Sequence, residues 1–406
     1  MSTLDTFVIV GAAHAGGRAA QAMRAAGFAG RIVVIGEEPW IPYERPPLSK
    51  ELLKGEGGIE RVQINPRTFY DEKTIELRLG ARVAAIDRAT RQVRVDGQAI
   101  AYDRLMLATG ARVRRLSLPG ADLAGVTYLR TLDDSLAIRP ALKPGARIAV
   151  IGGGFIGLEC AASARTRGAE VTVIEAADRL MGRAVAPEIG AHFAALHRAR
   201  GVEVRLGAKL VRFEGADRLE RVILGDGTTV AADLAIVGIG ILPNAELAAE
   251  AGLAVDNGIV VDARGRTDDE RIFAAGDVAN QPNAFLDRRV RLESYQNAQD
   301  QGMAVGRNMA GADEAYEDRL WVWSDQYDVN LQMLGAPQSW DSLVFRGDPA
   351  KGGFSAFYLQ SGRIVAVNAV NNGREIRTLE RLMASGIAVS PDQLADPAVN
   401  LRKLGG

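Results

Sequence analysis

"GGGFIGLE", residues 152–159, is the stretch whose reading decides the fold. It follows the apolar run "RIAVI" (147–151) and opens an alanine-rich segment that leads to "AEVTVIE" (169–175). The order is strand, glycine turn, helix, strand, acid. That is a βαβ unit of the dinucleotide-binding kind. A pyrophosphate must approach the backbone closely, so side chains are absent at the turn. The first amides of the helix and the positive end of its dipole then face the phosphates. Gly152, Gly154 and Gly157 supply the turn, with Phe155 and Ile156 between the last two glycines. Glu175 is the acid, placed to accept hydrogen bonds from ribose hydroxyls.

The same order occurs near the start of the chain. "TFVIVGAAHAGG" (6–17) leads through a helix to "RIVVIGEE" (31–38). Gly11 and Gly16 are in place, Ala13 holds the middle glycine position, Ala15 and His14 lie in the turn, His14 equally as an exposed turn residue without chemistry, and Glu37 is the acid. One added methyl at Ala13 loosens the approach without blocking it. A single fingerprint of this sort also arises from packing alone. Two copies, each with its acid, point to two dinucleotides in one chain, FAD and a nicotinamide.

Composition excludes several classes. A chain of 406 residues implies two or three domains. Lys plus Arg (49) balances Asp plus Glu (50), so net charge gives no sign of nucleic acid. No apolar run reaches the roughly 18 residues of a membrane span. The first residues lack a basic region and a cleavage site, and their apolar run reads as a strand. Cys160 stands alone and only three histidines are present, so no metal site and no internal disulfide are expected, and the cysteine usage leads to the expectation of a cytoplasmic protein.

Three later strands extend the pattern. "YDRLMLATGA" (102–111) ends in Ala108, Thr109 and Gly110; "ADLAIVGIGILPN" (232–244) carries Gly238 and Gly240; "RIFAAGDVA" (271–279) ends in Gly276 and Asp277. Ligands sit at the carboxyl ends of strands in such sheets. Asp277 either caps the next helix or holds the ribityl chain of a flavin. A further segment, "WIPYERPPLSKELLKG" (40–55), is a stiff elbow. Its adjacent prolines exclude a helix interior or a central strand. Ser49 reads as an N-cap and "KELLKG" as a short helix that stops at Gly55.

With these motifs the sequence resembles the FAD-dependent pyridine nucleotide–disulfide reductases. Within them it is most similar to the ferredoxin reductases of oxygenase systems, the putidaredoxin reductase-like group. The likeness runs over essentially the whole chain. Its specific marks are "ERPPLSK" (44–50), "GGGFIGLE" (152–159), "ESYQNAQDQG" (293–302) and "WSDQYDVNLQMLG" (323–335). The resemblance implies that Lys50 lies by the flavin and pairs with Glu159. It also implies FAD contacts for Arg45, for Val83 at the adenine, and for Arg130. Tyr295 stands where relatives often carry tryptophan, and Trp323 is a second aromatic expected near the flavin. A solvated lysine and a core tryptophan are the plain alternatives. Disulfide-reducing relatives keep cysteines beside the flavin, because a thiolate relays the electrons. None precedes Cys160 here, and Cys160 reads as a small packing residue. Single-electron transfer to an iron–sulfur protein is then the expected exit.

The resemblance implies an α/β fold with two Rossmann-like domains of the glutathione reductase-like kind and a small α+β C-terminal domain. The expected FAD-binding domain is split, 1–112 and 243–318; the NAD-binding domain is 113–242; the interface domain is 319–406. Glu175, with no arginine directly beside it although Arg179 and Arg183 are near, predicts NADH over NADPH. The expected reaction passes hydride from NADH to FAD and single electrons to a [2Fe–2S] ferredoxin. That ferredoxin serves a haem-thiolate monooxygenase or a Rieske oxygenase. Arg112, Arg114, Arg115, Arg288, Arg289 and Arg291 are candidates for its docking patch. The alternatives are an NADH oxidase or rubredoxin reductase of the same fold, an NADH-sensing flavoprotein that signals to a partner, and a dinucleotide-binding module without flavin.

Overall fold

The computed structural model describes residues 5–317 and 320–404. The chain forms two compact units. One holds Met1–Pro46, Gly57–Arg112 and Ile241–Asp318; the other holds Pro47–Glu56, Val113–Gly240 and Arg319–Gly406.

The first unit is built on β1 (Thr6–Val10), α1 (His14–Ala25) and β2 (Arg31–Gly36). They lie in a parallel sheet of order Ile272–Ala274, Arg104–Leu107, β1, β2, Ile75–Leu79. β1 is buried on both faces, which is why its sequence is an unbroken apolar run. Helix Tyr295–Met309 lies against α1 at backbone distance. A Cβ on Gly302 or Gly306 would sit 2.6 or 2.5 Å from the carbonyl oxygens of Ala15 and Ala19, so only glycine permits this approach. Val83 opens a separate antiparallel sheet of Val83–Asp87, Gln92–Val95 and Gln98–Ala101.

The second unit repeats the plan with β3 (Arg147–Ile151), α2 (Phe155–Thr166) and β4 (Glu170–Ile174). The parallel order is Glu203–Arg205, β4, β3, Leu234–Val237, Val126–Tyr128. α3 (Pro187–Ala199) follows β4. The tail is an antiparallel sheet that begins with β5 (Trp321–Gln326). Its long hairpin turns at Ser361 and Gly362, with φ of 51° and 73°, the positive pair that a tight hairpin requires. Helix Ile376–Ala384 buries Ile376, Leu379, Leu382 and Met383, the spacing of an amphipathic face.

The proline elbow departs from the sequence reading. Pro46–Ser49 is a 3₁₀ turn, Lys50 flanks the helix, and the helix itself is Glu51–Lys54, closed by Gly55 at φ 86°. Ser49 is therefore not a cap, because the 3₁₀ turn carries its hydroxyl away from the helix amides. The segment also packs with the second unit. Ser135 donates to the Leu48 carbonyl (2.8 Å), Ser163 to that of Ser49 (2.7 Å) and Arg167 to that of Lys54 (2.6 Å).

Candidate active site

The two glycine turns share one geometry. Gly11 and Gly152 have φ of 117° and 108°, which favours glycine. A Cβ on Gly11 would stand 2.1 Å from the Ala108 oxygen, and one on Gly152 2.4 Å from that of Gly238. Gly16 and Gly157 are required by the close seat of each helix on its strand: a Cβ there would lie 1.9 Å from the Gly11 oxygen and 2.1 Å from that of Gly152. Gly154 is different. Its φ is −81°, and a Cβ would meet nothing within 4 Å. The fold itself does not ask for glycine at 154, so the space before the N-terminus of α2 is open. Neither α1 nor α2 has a side-chain cap or an acid in its first turn. Helix Leu132–Ile138, by contrast, is closed by Thr131 and Asp134 in a capping box. Two open helix N-termini over backbone-tight turns fit the pyrophosphates of FAD and of a nicotinamide dinucleotide.

The acids differ between the copies. Glu175 accepts from the backbone N–H of Gly153 (2.6 Å) and of Ala177 (2.7 Å), which fixes it at the turn with lone pairs left over. Val10 pairs with Ile35 as Ile151 pairs with Ile174. The counterpart of Glu175 is thus Gly36, not Glu37. A side chain at 36 would meet the Ala12 Cβ at 2.4 Å, so the acid stands one place further along. Glu37 is exposed, 3.5 Å from Arg82. The next acid, Glu38, is held by the Tyr43 hydroxyl and by Arg45 at 2.7 Å.

Lys50 and Glu159 meet. Lys50 Nζ lies 3.0 Å from Glu159 Oε2, and the two residues are 7% and 2% exposed. A buried carboxylate needs further donors. Ser49 Oγ donates to Oε2 at 2.5 Å and Ser324 Oγ to Oε1 at 2.7 Å. Cys160, the next residue, is wholly buried, and burial followed by the charge of Glu159 pushes its thiol far above the usual range. It is a neutral packing group, not a nucleophile.

The pattern of the pyridine nucleotide-disulphide oxidoreductases matches residues 5–302, and a reductase C-terminal pattern matches 321–405. The chain belongs to the pyridine nucleotide-disulphide oxidoreductase family. It is 48% identical to the ferredoxin–NAD(+) reductase component of an anthranilate 1,2-dioxygenase system of Burkholderia cepacia, over 98% of each chain. The ferredoxin reductase of the CYP199A2 system of Rhodopseudomonas palustris superposes with a TM-score of 0.95 at 40% identity, covering 99% of this chain and 100% of that one. Putidaredoxin reductase in its covalent complex with putidaredoxin gives 0.94, again at 40% identity and over 98% of each chain.

Against this family background the remaining predicted residues fall as follows. His14 is buried in the first turn of α1, its ring 4.4 Å from that of Tyr295. Burial, then the charge of Arg18, lowers its pKa to about 3. The Tyr295 hydroxyl donates to Glu44 at 2.8 Å. Thr109 Oγ1 donates to the Asn244 carbonyl at 2.7 Å, and the Asn244 amide returns a bond to Thr109 O at 2.9 Å. Gly276, at φ 80°, donates to Gln301 Oε1 at 2.8 Å, and the Asp277 carbonyl accepts from Arg291 at 3.0 Å. Val83 is buried, and the Arg130 amide donates to Asp134 at 2.9 Å. Trp323 stacks on Trp321 at 5.1 Å and donates to Asp325 at 3.1 Å. Phe155 is half-buried, while Ile156 is 47% exposed at the open end of α2. Arg183 is exposed and reaches within 4.0 Å of where a Gly240 side chain would begin.

Four of the six arginines of the predicted patch also have partners within the chain. Arg112 pairs with Glu246 at 2.6 Å, Arg115 lies 4.9 Å over the Tyr128 ring, Arg289 holds the Val261 carbonyl and Arg291 pairs with Glu293. Arg112, Arg114, Arg115, Arg288 and Arg289 are nevertheless exposed, and Arg291 is half-buried. The two serines on Glu159 escaped the sequence reading, although both lie inside quoted motifs, "PPLSK" and "WSDQ".

Proposed function

We infer that this chain is an NADH-dependent flavoprotein reductase that passes electrons from NADH to a [2Fe–2S] ferredoxin, which serves a haem-thiolate monooxygenase or a Rieske oxygenase. The observation that carries the reading is the buried Lys50–Glu159 pair in a chain whose one cysteine is walled off. FAD, when bound, takes a hydride from NADH and releases the electrons singly, chemistry that no side chain supplies. The residues hold and orient. The turn at Gly11–Gly16 receives the FAD pyrophosphate, with Glu37, Arg45, Val83, Thr109, Arg130, Asp277, Tyr295 and Trp323 as its further contacts. The turn at Gly152–Gly157 receives that of NADH. Glu175, already fixed by two backbone amides, offers its free lone pairs to the ribose and repels a 2′-phosphate. Arg179 gives its guanidinium to the Gly182 carbonyl at 3.0 Å, which leaves Arg183 as the neighbouring cation. Lys50, aimed by Glu159, would supply a positive charge to the bound flavin. In this reading the segments 1–112 and 243–318 bind FAD, 113–242 binds NADH, and 319–406 is an interface domain. Among the described residues no helix is long and apolar enough to cross a membrane, and the cytoplasm is the compartment we assign.

The test is anaerobic. The purified yellow protein is mixed with NADH and then with a [2Fe–2S] ferredoxin, and both chromophores are followed. Fast bleaching of the flavin followed by reduction of the ferredoxin is the expected result. Bleaching without transfer to any ferredoxin sinks the reading and favours the oxidase or sensor alternatives.

A further inference from the structure

Glu159 is approached from a second side by a file of hydrogen bonds. Ser324 Oγ reaches Glu159 Oε1 at 2.7 Å, and Gln326 Nε2 reaches Ser324 Oγ at 3.2 Å. Gln326 Oε1 lies 2.9 Å from His197 Nε2, and the Tyr327 hydroxyl lies 3.2 Å from His197 Nδ1. Ser324, Gln326 and His197 are all 0% exposed. Elementary donor and acceptor chemistry fixes the direction of the file. An ionised carboxylate only accepts, so the single Ser324 hydrogen points at Glu159. Ser324 then accepts from the Gln326 amide. The Gln326 oxygen faces His197, which therefore carries its hydrogen on Nε2. Nδ1 is left as the acceptor for Tyr327. Every bond donates toward Glu159.

We propose that Ser324, Gln326 and His197 are positioning residues for the Lys50–Glu159 pair, a one-way chain of donors that fixes Glu159 and aims it at Lys50. The proposal rests on the reading that this pair serves flavin reduction. Bonds aligned in one sense polarise one another, and the last of them acts on a charge in a dry, low-dielectric place. Strand geometry makes the arrangement possible. Residues two apart on β5 share a face, so Ser324 and Gln326 both turn inward. Asp325 turns the other way and accepts from Trp323 and Asn330. The C-terminal sheet thus supplies a hydroxyl to the pair. The His197 ring suits the role, because burial disfavours its protonation, against the pull of Gln326. A neutral ring is needed to accept at one nitrogen and donate at the other.

Few charges compete around the file. Lys50 is the cation at the inner end, beside the un-ionised Cys160. At the outer end Arg200 lies 4.9 Å over the Tyr327 ring and pairs with Asp328, and the more distant Arg165 also acts on Tyr327.

The experiment uses the full flavin-loaded chain and four variants: Ser324→Ala, Ser324→Thr, His197→Phe and Glu159→Gln. The readout is the rate constant of flavin bleaching at saturating NADH, without oxygen, across pH 5 to 9. A hydrogen bond to a buried charge is worth about tenfold in such a rate. Ser324→Ala is expected to slow bleaching about tenfold and to move the acid side of the profile up by roughly one unit. Ser324→Thr, which keeps the hydroxyl, restores both. His197→Phe, which keeps the ring and removes its nitrogens, shifts the profile the same way by roughly a third as much, and covers the case in which Ser324→Ala fails to fold. Glu159→Gln separates the two claims. If it alters the profile while Ser324→Ala and His197→Phe match the parent, the chain is refuted and the pair stands. If Glu159→Gln also matches the parent, the reading of the pair is refuted and the proposal with it.

Discussion

Gly154 and Gly157 are three residues apart in one turn and are predicted to fail in opposite ways when given a methyl group. At 154 the backbone is extended, φ −81° and ψ 179°, which alanine adopts freely, and the new Cβ meets nothing within 4 Å. The loss is a poorer N-cap, about 1 kcal/mol at most. The methyl nevertheless stands at the open N-terminus of α2, where a phosphate oxygen must come within about 2.9 Å of an amide nitrogen. One charge-assisted hydrogen bond is lost, worth about 1.5–3 kcal/mol. At roughly 1.4 kcal/mol per tenfold, KM for NADH rises about 10- to 100-fold, with the thermal midpoint nearly unchanged. At 157 the Cβ would lie 2.1 Å from the Gly152 oxygen, so α2 must lift off β3 by about 1 Å to reach normal contact. The gain in helix propensity, about 1 kcal/mol, does not offset an overpacking cost of about 1–3 kcal/mol or more. Gly157→Ala is therefore expected to lower the unfolding midpoint of the flavin-loaded protein as well as its activity. The assays are thermal unfolding and the NADH dependence of flavin bleaching. The first copy supplies the internal control, since Ala13 already carries the methyl; Ala13→Gly is expected to slow the release of FAD. An unchanged KM in Gly154→Ala would falsify the assignment of that open space to the nicotinamide dinucleotide.

Three further outcomes are expected. Glu175→Ala combined with Ala176→Arg removes the repulsion of a 2′-phosphate and adds a cation, so the ratio of kcat/KM for NADH over NADPH falls at least tenfold; an unaltered ratio removes Glu175 from the selectivity. Cys160→Ala retains electron transfer to ferredoxin at the parental rate and loses only about 1 kcal/mol of stability through the deleted sulfur; abolished transfer with an intact flavin spectrum would reinstate a thiol relay. His14 binds a proton below about 6.5 when unfolded and only near 3 when folded, because burial and Arg18 oppose the charge. Its contribution is complete above 6.5 and is lost as pH falls toward 3, by up to about 1.4 kcal/mol per unit. His14→Phe flattens the acid side of the thermal midpoint against pH, and a parental slope in that variant rules His14 out as its source.

What the sequence disclosed, and what it hid, divides by how far each requirement reaches along the chain. Gly11, Gly16, Gly152 and Gly157 were legible because backbone contact forces one residue type at a fixed short spacing, and the strands around them because burial on two faces demands an unbroken apolar run. Glu37 was legible only by its type. Its offset from the Glu175 position follows from a contact between Gly36 and Ala12 that no pattern of acids reveals. The surroundings of Glu159 were hidden altogether. Its hydroxyl donors come from 110 residues before it and 165 after it, and a serine carries no mark of the partner it will meet. Ser49 even carried a false mark, since before a short helix it reads as a cap. The general point concerns charges. A buried ion pair is held in place by the neutral groups that complete its hydrogen bonds, and those groups arrive from distant segments. Lysine and glutamate can therefore be named from motifs, while the donors that complete the hydrogen bonds of the pair become visible only when the chain has folded around it.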